Sequence, residues 1–358
     1  MSSKQVVIAT FTIVGVVALI AVVGYLLNIA LFETENLEPT FVVEVYNPEK
    51  AYPGTTFFTD SHDSNNPRVL EVDMNGNIIW QFTIPQEWRP GGEIVGFEAE
   101  PLPDNHVLIT ITQSGLYEID RSGNLIWSYK DPKVSHDADR LPNGNTLYVF
   151  GADDQVGDAV VKEVSSDGTL VWSWRASDHY LERFPESQYA HQGWTHTNAV
   201  QRLSNGNTLI SLRNFYLTTI VDENGSIVKE YDWSKYGADT DPHEPQLYEN
   251  ENLLIVCLQN DSPYVVVEVD AENGEEIWTY SNSYLRTARD ADKLPNGNVL
   301  IVAVHNGGTS DYVNMEDDTS VIIEVTPEGE IVWQLSLKNA PVGRNPGWFY
   351  KAERIATS

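Results

Sequence analysis

Positive charge and cysteine are both scarce in this chain. Lys and Arg number 22 against 52 Asp and Glu in 358 residues, a formal charge of −30. That excludes nucleic-acid binding through phosphate neutralisation, which needs a basic surface. The lone Cys257 excludes a disulfide framework and any multi-cysteine metal or iron–sulfur centre. Within NLLIVCLQ it alternates in a strand pattern and reads as a buried structural thiol. No G-x-x-x-x-G-K-[ST], no G-x-G-x-x-G after a strand and no G-x-S-x-G occurs. The P-loop, the dinucleotide fingerprint and the hydrolase nucleophile elbow are therefore absent. Aromatics are plentiful: 10 Trp, 17 Tyr and 11 Phe within 41% hydrophobic residues suffice for a large core and exclude disorder.

Charge is missing altogether between Val6 and Phe32. As a helix this run would be about 40 Å long, more than the roughly 30 Å of a bilayer core. It also exceeds the apolar stretch of a cleavable signal. The expectation is a short tail at 1–5, a permanent transmembrane anchor at 6–32 and a linker at 33–39. Lys4 and the amino terminus on the leading side put the remaining chain outside the cell membrane by the positive-inside rule. The sequons Asn224-Gly225-Ser226 and Asn260-Asp261-Ser262 fit that location. An even coat of carboxylates outside the cell suggests a halophilic setting, where the Debye length shrinks to about 3 Å. A solvated acidic surface on an ordinary secreted protein is the alternative.

From residue 40 onward the chain repeats itself. One unit joins a β-patterned run to a Gly turn and a Trp: MNGNIIW (74–80), RSGNLIW (121–127), SDGTLVW (166–172), ENGSIVK (223–229), ENGEEIW (272–278) and PEGEIVW (327–333). A polar residue with Gly between alternating runs marks a hairpin. A second unit precedes it, with turns PDNH (103–106), PNGN (142–145), SNGN (204–207), ENEN (249–252) and PNGN (295–298). Together they give four strands per repeat, an all-β six-bladed propeller over 40–358. The first strand of blade one is missing from the front. YKAERI (350–355) matches HDADRL (136–141) and RDADKL (289–294), so the C-terminal strand is expected to close the first blade and leave no unpaired edge.

Aligning the inner strands on their last apolar residue sets Tyr350, Phe97, His136, Asn198, His243 and Arg289 in one ring at a mouth of the channel. His196 lies two residues before Asn198, and Arg213 ends the returning strand TLISLR. Three imidazoles and a guanidinium thus converge from blades three, four and five. Seven of the eight histidines, all but His106, fall on this face. Arg holds oxyanions through several N–H donors, and His serves as nucleophile, acid–base or donor near neutral pH. The set suits an anionic ester whose transferred group carries negative oxygens.

The segments HDADRLPNGNTL, WTHTNAVQRLSNGNTLISLRN and DPHEPQL resemble the bacterial and archaeal arylsulfotransferase family. The likeness covers roughly 40–358, with its motifs concentrated in 136–243. It implies transfer of a sulfuryl group from an aryl sulfate to a phenol, ping-pong, with no nucleotide donor and no cofactor. It further implies His243 as the nucleophile that becomes sulfated, and His136, His196 and Arg213 as the sulfate-binding set. Asn198 matches a polar neighbour, while Trp194, Tyr189 and Phe215 are near enough in sequence to wall an aryl pocket or simply to pack. Family enzymes with an N-terminal β-domain and a disulfide depart from this chain, where only a short linker precedes the propeller and Pro242 and Pro245 flank His243.

Other readings compete. A membrane-tethered, non-catalytic binding propeller would carry the same histidines without turnover. A metal site from His136, Asp137, His196 and His243 suits Zn or Mn ligation, but Arg213 in the same mouth would repel a cation. Quinone-dependent dehydrogenases use Trp-rich propellers with a different blade count.

Overall fold

Six sheets of short antiparallel strands surround a common channel in the computed structural model, which describes residues 38–89, 97–185, 192–260, 265–306, 318–340 and 349–356. The run 6–32 lies outside the described residues. Among the described residues no helix is long and apolar enough to cross a membrane.

Blades two to five are consecutive four-stranded sheets, with inner strands Glu98–Pro101, Ala138–Arg140, Thr197–Arg202 and Thr240–Tyr248. Blade one takes its inner strand from the chain's end: Ala352–Ile355 pairs with Thr55–Asp60, in register Thr55↔Ile355 to Phe58↔Ala352. Closure by the C-terminal strand is as the repeat predicts. Blade six, beginning at Leu285–Lys293, has a strand the repeat does not predict. Thr40–Tyr46 adds outside Ile331–Lys338 and makes this sheet five-stranded. The first residues of the expected propeller span thus cover an outer edge of blade six.

The repeat motif is explained by what its residues do. Each turn needs a left-handed residue, and Gly76 (φ 82°) and Gly123 (φ 83°) supply it without a Cβ penalty. The Asp before the turn accepts two backbone N–H groups: Asp73 Oδ1 from Asn75 and Asn77 at 2.8 and 2.9 Å, Asp120 Oδ1 from Ser122 and Asn124 at 2.8 and 2.9 Å. Part of the acidic surplus is therefore turn chemistry.

The closing Trp ties each blade to the next. Nε1 of Trp80, Trp127, Trp172, Trp278 and Trp333 donates to the carbonyls of Arg121, Ser166, Glu223, Pro327 and Met74 at 2.7–3.0 Å. The last of these joins blade six to blade one. In the fourth unit, where Lys229 replaces Trp, the Lys229 ammonium and the Tyr231 hydroxyl reach the Ala271 carbonyl instead.

The scarce cations sit at the same junctions. Arg140, Arg202, Lys293 and Arg354 on inner strands pair with Glu118, Glu163, Glu268 and Glu324 of the preceding blade at 2.8–3.3 Å. Arg140, Arg202 and Arg354 also lie over Trp127, Trp172 and Trp333. Apolar clusters fill the space between blades; one joins Phe57 and Val69 to Ile109 and Tyr117.

Candidate active site at the channel mouth

His136, His196 and His243 do converge. The rings of His136 and His196 have centroids 4.9 Å apart, and Tyr350 lies 6.2 Å from His136 and 5.5 Å from His243. His243 is buried, and a bulge between His243 and Gln246 breaks the regular alternation of its strand. Glu244 takes φ 43° there, in a region where a non-glycine residue costs about 1–3 kcal/mol. The proline-flanked segment is thereby bent so that consecutive residues serve the channel.

The tautomer of His243 follows from its partner. Nδ1 donates to the Arg289 carbonyl at 2.6 Å, so the neutral ring presents an unprotonated Nε2. The Tyr350 hydroxyl stands 3.4 Å from that nitrogen. His196 is arranged in the same way, with Nδ1 donating to the Gln192 carbonyl at 2.5 Å. His136 Nδ1 has no hydrogen-bond partner. Burial, then the neighbouring His196 ring and the Arg213 and Arg289 charges, hold His136 well below the usual imidazole range. Burial followed by Arg289 and Arg213 does the same to His243, and burial with Arg213 lowers His196 to about 4. All three are neutral at pH 7.

The loop bearing His196 is pinned by one carboxylate. Asp154 accepts from the backbone N–H of Thr195 and His196 at 3.0 and 3.1 Å and from the Thr195 hydroxyl at 3.0 Å. Gly193 (φ 97°) passes so close that a Cβ would sit 2.3 Å from Asp154 Oδ1. His196 itself takes φ 47°.

The two arginines differ. Arg213 is ion-paired to Asp241 at 2.8 Å and donates to Gln192 Oε1 at 3.3 Å. Arg289 is half-buried over the Tyr350 ring, 5.5 Å from its centroid, with Nε unpartnered. Among the described residues it has no carboxylate partner. A half-buried guanidinium with no carboxylate partner among the described residues, beside neutral imidazoles, is suited to holding an anion. Sequence reasoning set Arg289 in the ring but gave it no role. Its isolation from acids depends on which neighbours face it, which spacing does not reveal.

Other predicted residues fall elsewhere. Asn198 is buried; its Nδ2 donates to the Pro242 carbonyl at 3.1 Å, bracing the strand before His243, and its Oδ1 is left unpartnered. Trp194 and Phe215 pack edge-to-face at 5.0 Å within the core of blades three and four, and Trp194 Nε1 donates to the Phe184 carbonyl. They are core residues and do not wall the mouth. Phe97 likewise turns into the core between blades one and two. Tyr189 and His191 lie outside the described residues. The remaining histidines have local partners: His62 with Asp60, His106 with Glu118, His179 on Trp174 and His305 on Tyr284. The one-face distribution of histidines therefore reflects several separate contacts besides the central three.

Beneath the mouth the channel turns acidic. One residue on from the ring stand Lys351, Glu98, Asp137, Ala199, Glu244 and Asp290; two further on stand Glu353, Glu100, Asp139, Gln201, Gln246 and Asp292. Inner strands have an unpaired edge, and these side chains cap it across blades. Glu98 accepts from Ala138 N–H, Glu100 from Arg140 N–H, Asp137 from Val200 N–H and Asp290 from Ala352 N–H, at 2.6–3.3 Å. Lys351 donates to Glu98 and Asp137 at 2.8 and 3.4 Å. Burial, then neighbouring carboxylates, pushes Glu98, Asp139, Glu244 and Asp290 well up; burial carries Glu100 to about 7 and Asp292 to about 6.

A family model described as Arylsulfotransferase (ASST) matches residues 42–217 and 215–340. No curated protein matches. Among solved structures, a protein of unknown function from Bacteroides caccae is 16% identical with a TM-score of 0.57, over 84% of this chain and 98% of that one. Virginiamycin B lyase from Staphylococcus aureus, in a catalytically inactive form with quinupristin, is 10% identical with a TM-score of 0.47, over 84% and 100%. At such identities the likeness is one of fold alone.

Proposed function

The chain belongs to the arylsulfotransferase family, and we propose that it moves a sulfuryl group from an aryl sulfate to a phenolic acceptor through His243. The carrying observation is the bond from His243 Nδ1 to the Arg289 carbonyl, which leaves a neutral Nε2 lone pair near a half-buried guanidinium that has no carboxylate partner among the described residues. Nε2 attacks sulfur; the N–S bond forms as the aryl S–O bond breaks, and the bonding pair leaves on the aryloxide. The ring becomes a cationic N-sulfonate whose Nδ1–H keeps donating to the carbonyl. An acceptor phenol then gives its proton to the free ring nitrogen of neutral His136, which passes it to solvent, as the phenol oxygen attacks sulfur; the N–S bond breaks and its pair returns to Nε2. Arg289 and Arg213 stabilise the sulfuryl oxygens as preorganised donors, with the N–H of His136 beside them.

The uncharged run 6–32 supports a membrane anchor with the propeller outside the cell. The function is tested by nitrophenol release from p-nitrophenyl sulfate in high salt, with and without phenol. Phenol-dependent release is expected. Equal release in both would make the protein a hydrolase, and none would leave a binding propeller.

A further inference from the structure

The sequon Asn224-Gly225-Ser226 takes no part in the channel chemistry. It forms the tip of the hairpin between Leu217–Val221 and Ile227–Asp232. That tip is on the face opposite the histidines, because the third strand of a blade runs away from the mouth at which the first begins. Gly225 N–H donates to the Asp222 carbonyl and Asp222 N–H to the Ser226 carbonyl, both at 2.9 Å. Gly225 supplies the left-handed residue, at φ 85°. Asp222 Oδ1 accepts from the backbone N–H of Asn224 and Ser226 at 2.9 and 2.8 Å. The turn thus uses the main chain of these two residues, and both are exposed.

The equivalent turns put their side chains to work. Asn77 and Asn124 donate their carboxamides to Asp73 and Asp120 at 2.9 and 2.8 Å, and Asn273 Oδ1 accepts from Glu275 N–H at 2.7 Å. Asn75 and Asn273 occupy the same turn position as Asn224, but neither is followed two residues on by Ser or Thr. The backbone under Asn224 is also held twice. Nε1 of Trp172 and of Trp174 donates to the carbonyls of Glu223 and Gly225, each at 3.0 Å, where Trp80, Trp127, Trp278 and Trp333 act singly. The other sequon is placed differently: Asn260 lies in a strand, paired across from Thr240, and its Ser262 is outside the described residues.

We propose that Asn224 carries an N-linked glycan. This rests on the reading that the propeller lies outside the cell, and the donor is an oligosaccharide linked to a lipid phosphate. Asn224 Nδ2 bonds to the anomeric carbon as the anomeric C–O bond breaks with its pair on the phosphate, and the amide gives up one proton. Ser226 completes the acceptor motif. The bulky, solvated group displaces no buried contact, and the braced turn carries it on the side away from the mouth. The site uses no residue of the channel, so it stands whether or not the histidines transfer sulfuryl groups.

The test is peptide mass mapping of the full chain recovered from its own cells, as wild type, Asn224→Gln and Ser226→Ala. The wild-type peptide containing Asn224 should be heavier by a whole number of sugar residues, and both variants should lose that mass. Ser226→Ala keeps the asparagine, so sugar that persists there would be attached without regard to the motif and would overturn the proposal. An unmodified wild-type peptide would overturn it as well. Trypsin added to intact cells then separates the two failures: a propeller that is digested was outside, and only the glycan assignment falls, whereas a protected propeller takes the outside location down with it.

Discussion

A histidine is a nucleophile only while its free nitrogen is unprotonated. Burial and the two arginines keep His136 and His243 well below the ordinary imidazole range and bring His196 to about 4. For a base so shifted, the neutral form holds at every pH above the folded value. The profile of kcat/KM should accordingly be flat from pH 8 down to about 5.5, bending only toward about 4; an inflection near 6.5 would contradict a neutral triad. The arginines separate by the same reasoning. Arg289→Ala should lower kcat/KM by about 10²–10³, the loss seen when an oxyanion donor is removed. Arg213→Ala should lose less, because Asp241 already holds that guanidinium; steady-state kinetics on both variants would order them. His136, His196, His243 and Arg213 were legible because order along a repeat translates into position around a ring. The isolation of Arg289, and the inward packing of Trp194 and Phe215, were not legible, since both depend on which way a side chain turns once neighbouring blades meet.

At the scale of strands, one junction recurs around the propeller: a Trp reaching the next turn, and a basic residue stacked on it and paired with a buried Glu. Between blades three and four these are Trp172, Arg202 and Glu163, with Arg202 Nη2 2.8 Å from Glu163 Oε2 and its guanidinium 5.3 Å from the Trp172 ring. Arg202→Ala strands a largely buried carboxylate and should cost about 3 kcal/mol. Trp172→Phe loses one hydrogen bond, about 1 kcal/mol. Urea unfolding of both and of the double variant should give a coupling above about 0.5 kcal/mol; strict additivity would mean that the stacked cation contributes nothing. Hairpins and Trp spacing were plain in the sequence because turns and period are local. The strand Thr40–Tyr46 was not, because its partner is nearly 300 residues away and the sixfold repeat has no place for it.

For the whole molecule, the acidic excess divides into turn caps, junction pairs and a channel lined with carboxylates. Glu100 at about 7 and Asp292 at about 6 lie above their unfolded values near 4. Groups raised on folding stabilise most below the unfolded value, and that contribution is lost as pH climbs through the folded one. At fixed ionic strength without divalent cations, the unfolding midpoint should therefore rise as pH drops from 7.5 to 5.5. Glu100→Gln should flatten the rise, and a midpoint that instead climbs with pH would contradict the assignment. The ring closes through Ala352–Ile355 and through Trp333 to Met74, as the fragment YKAERI predicts from its match to the other inner strands.

The central claim, a sulfuryl group carried on His243, is tested most directly by peptide mass mapping after incubation with an aryl sulfate and no acceptor. A sulfuryl adduct on the peptide containing His243, discharged by added phenol and absent from His243→Ala, is the predicted result. Turnover with no such adduct, or an adduct and full activity surviving in His243→Ala, would contradict it.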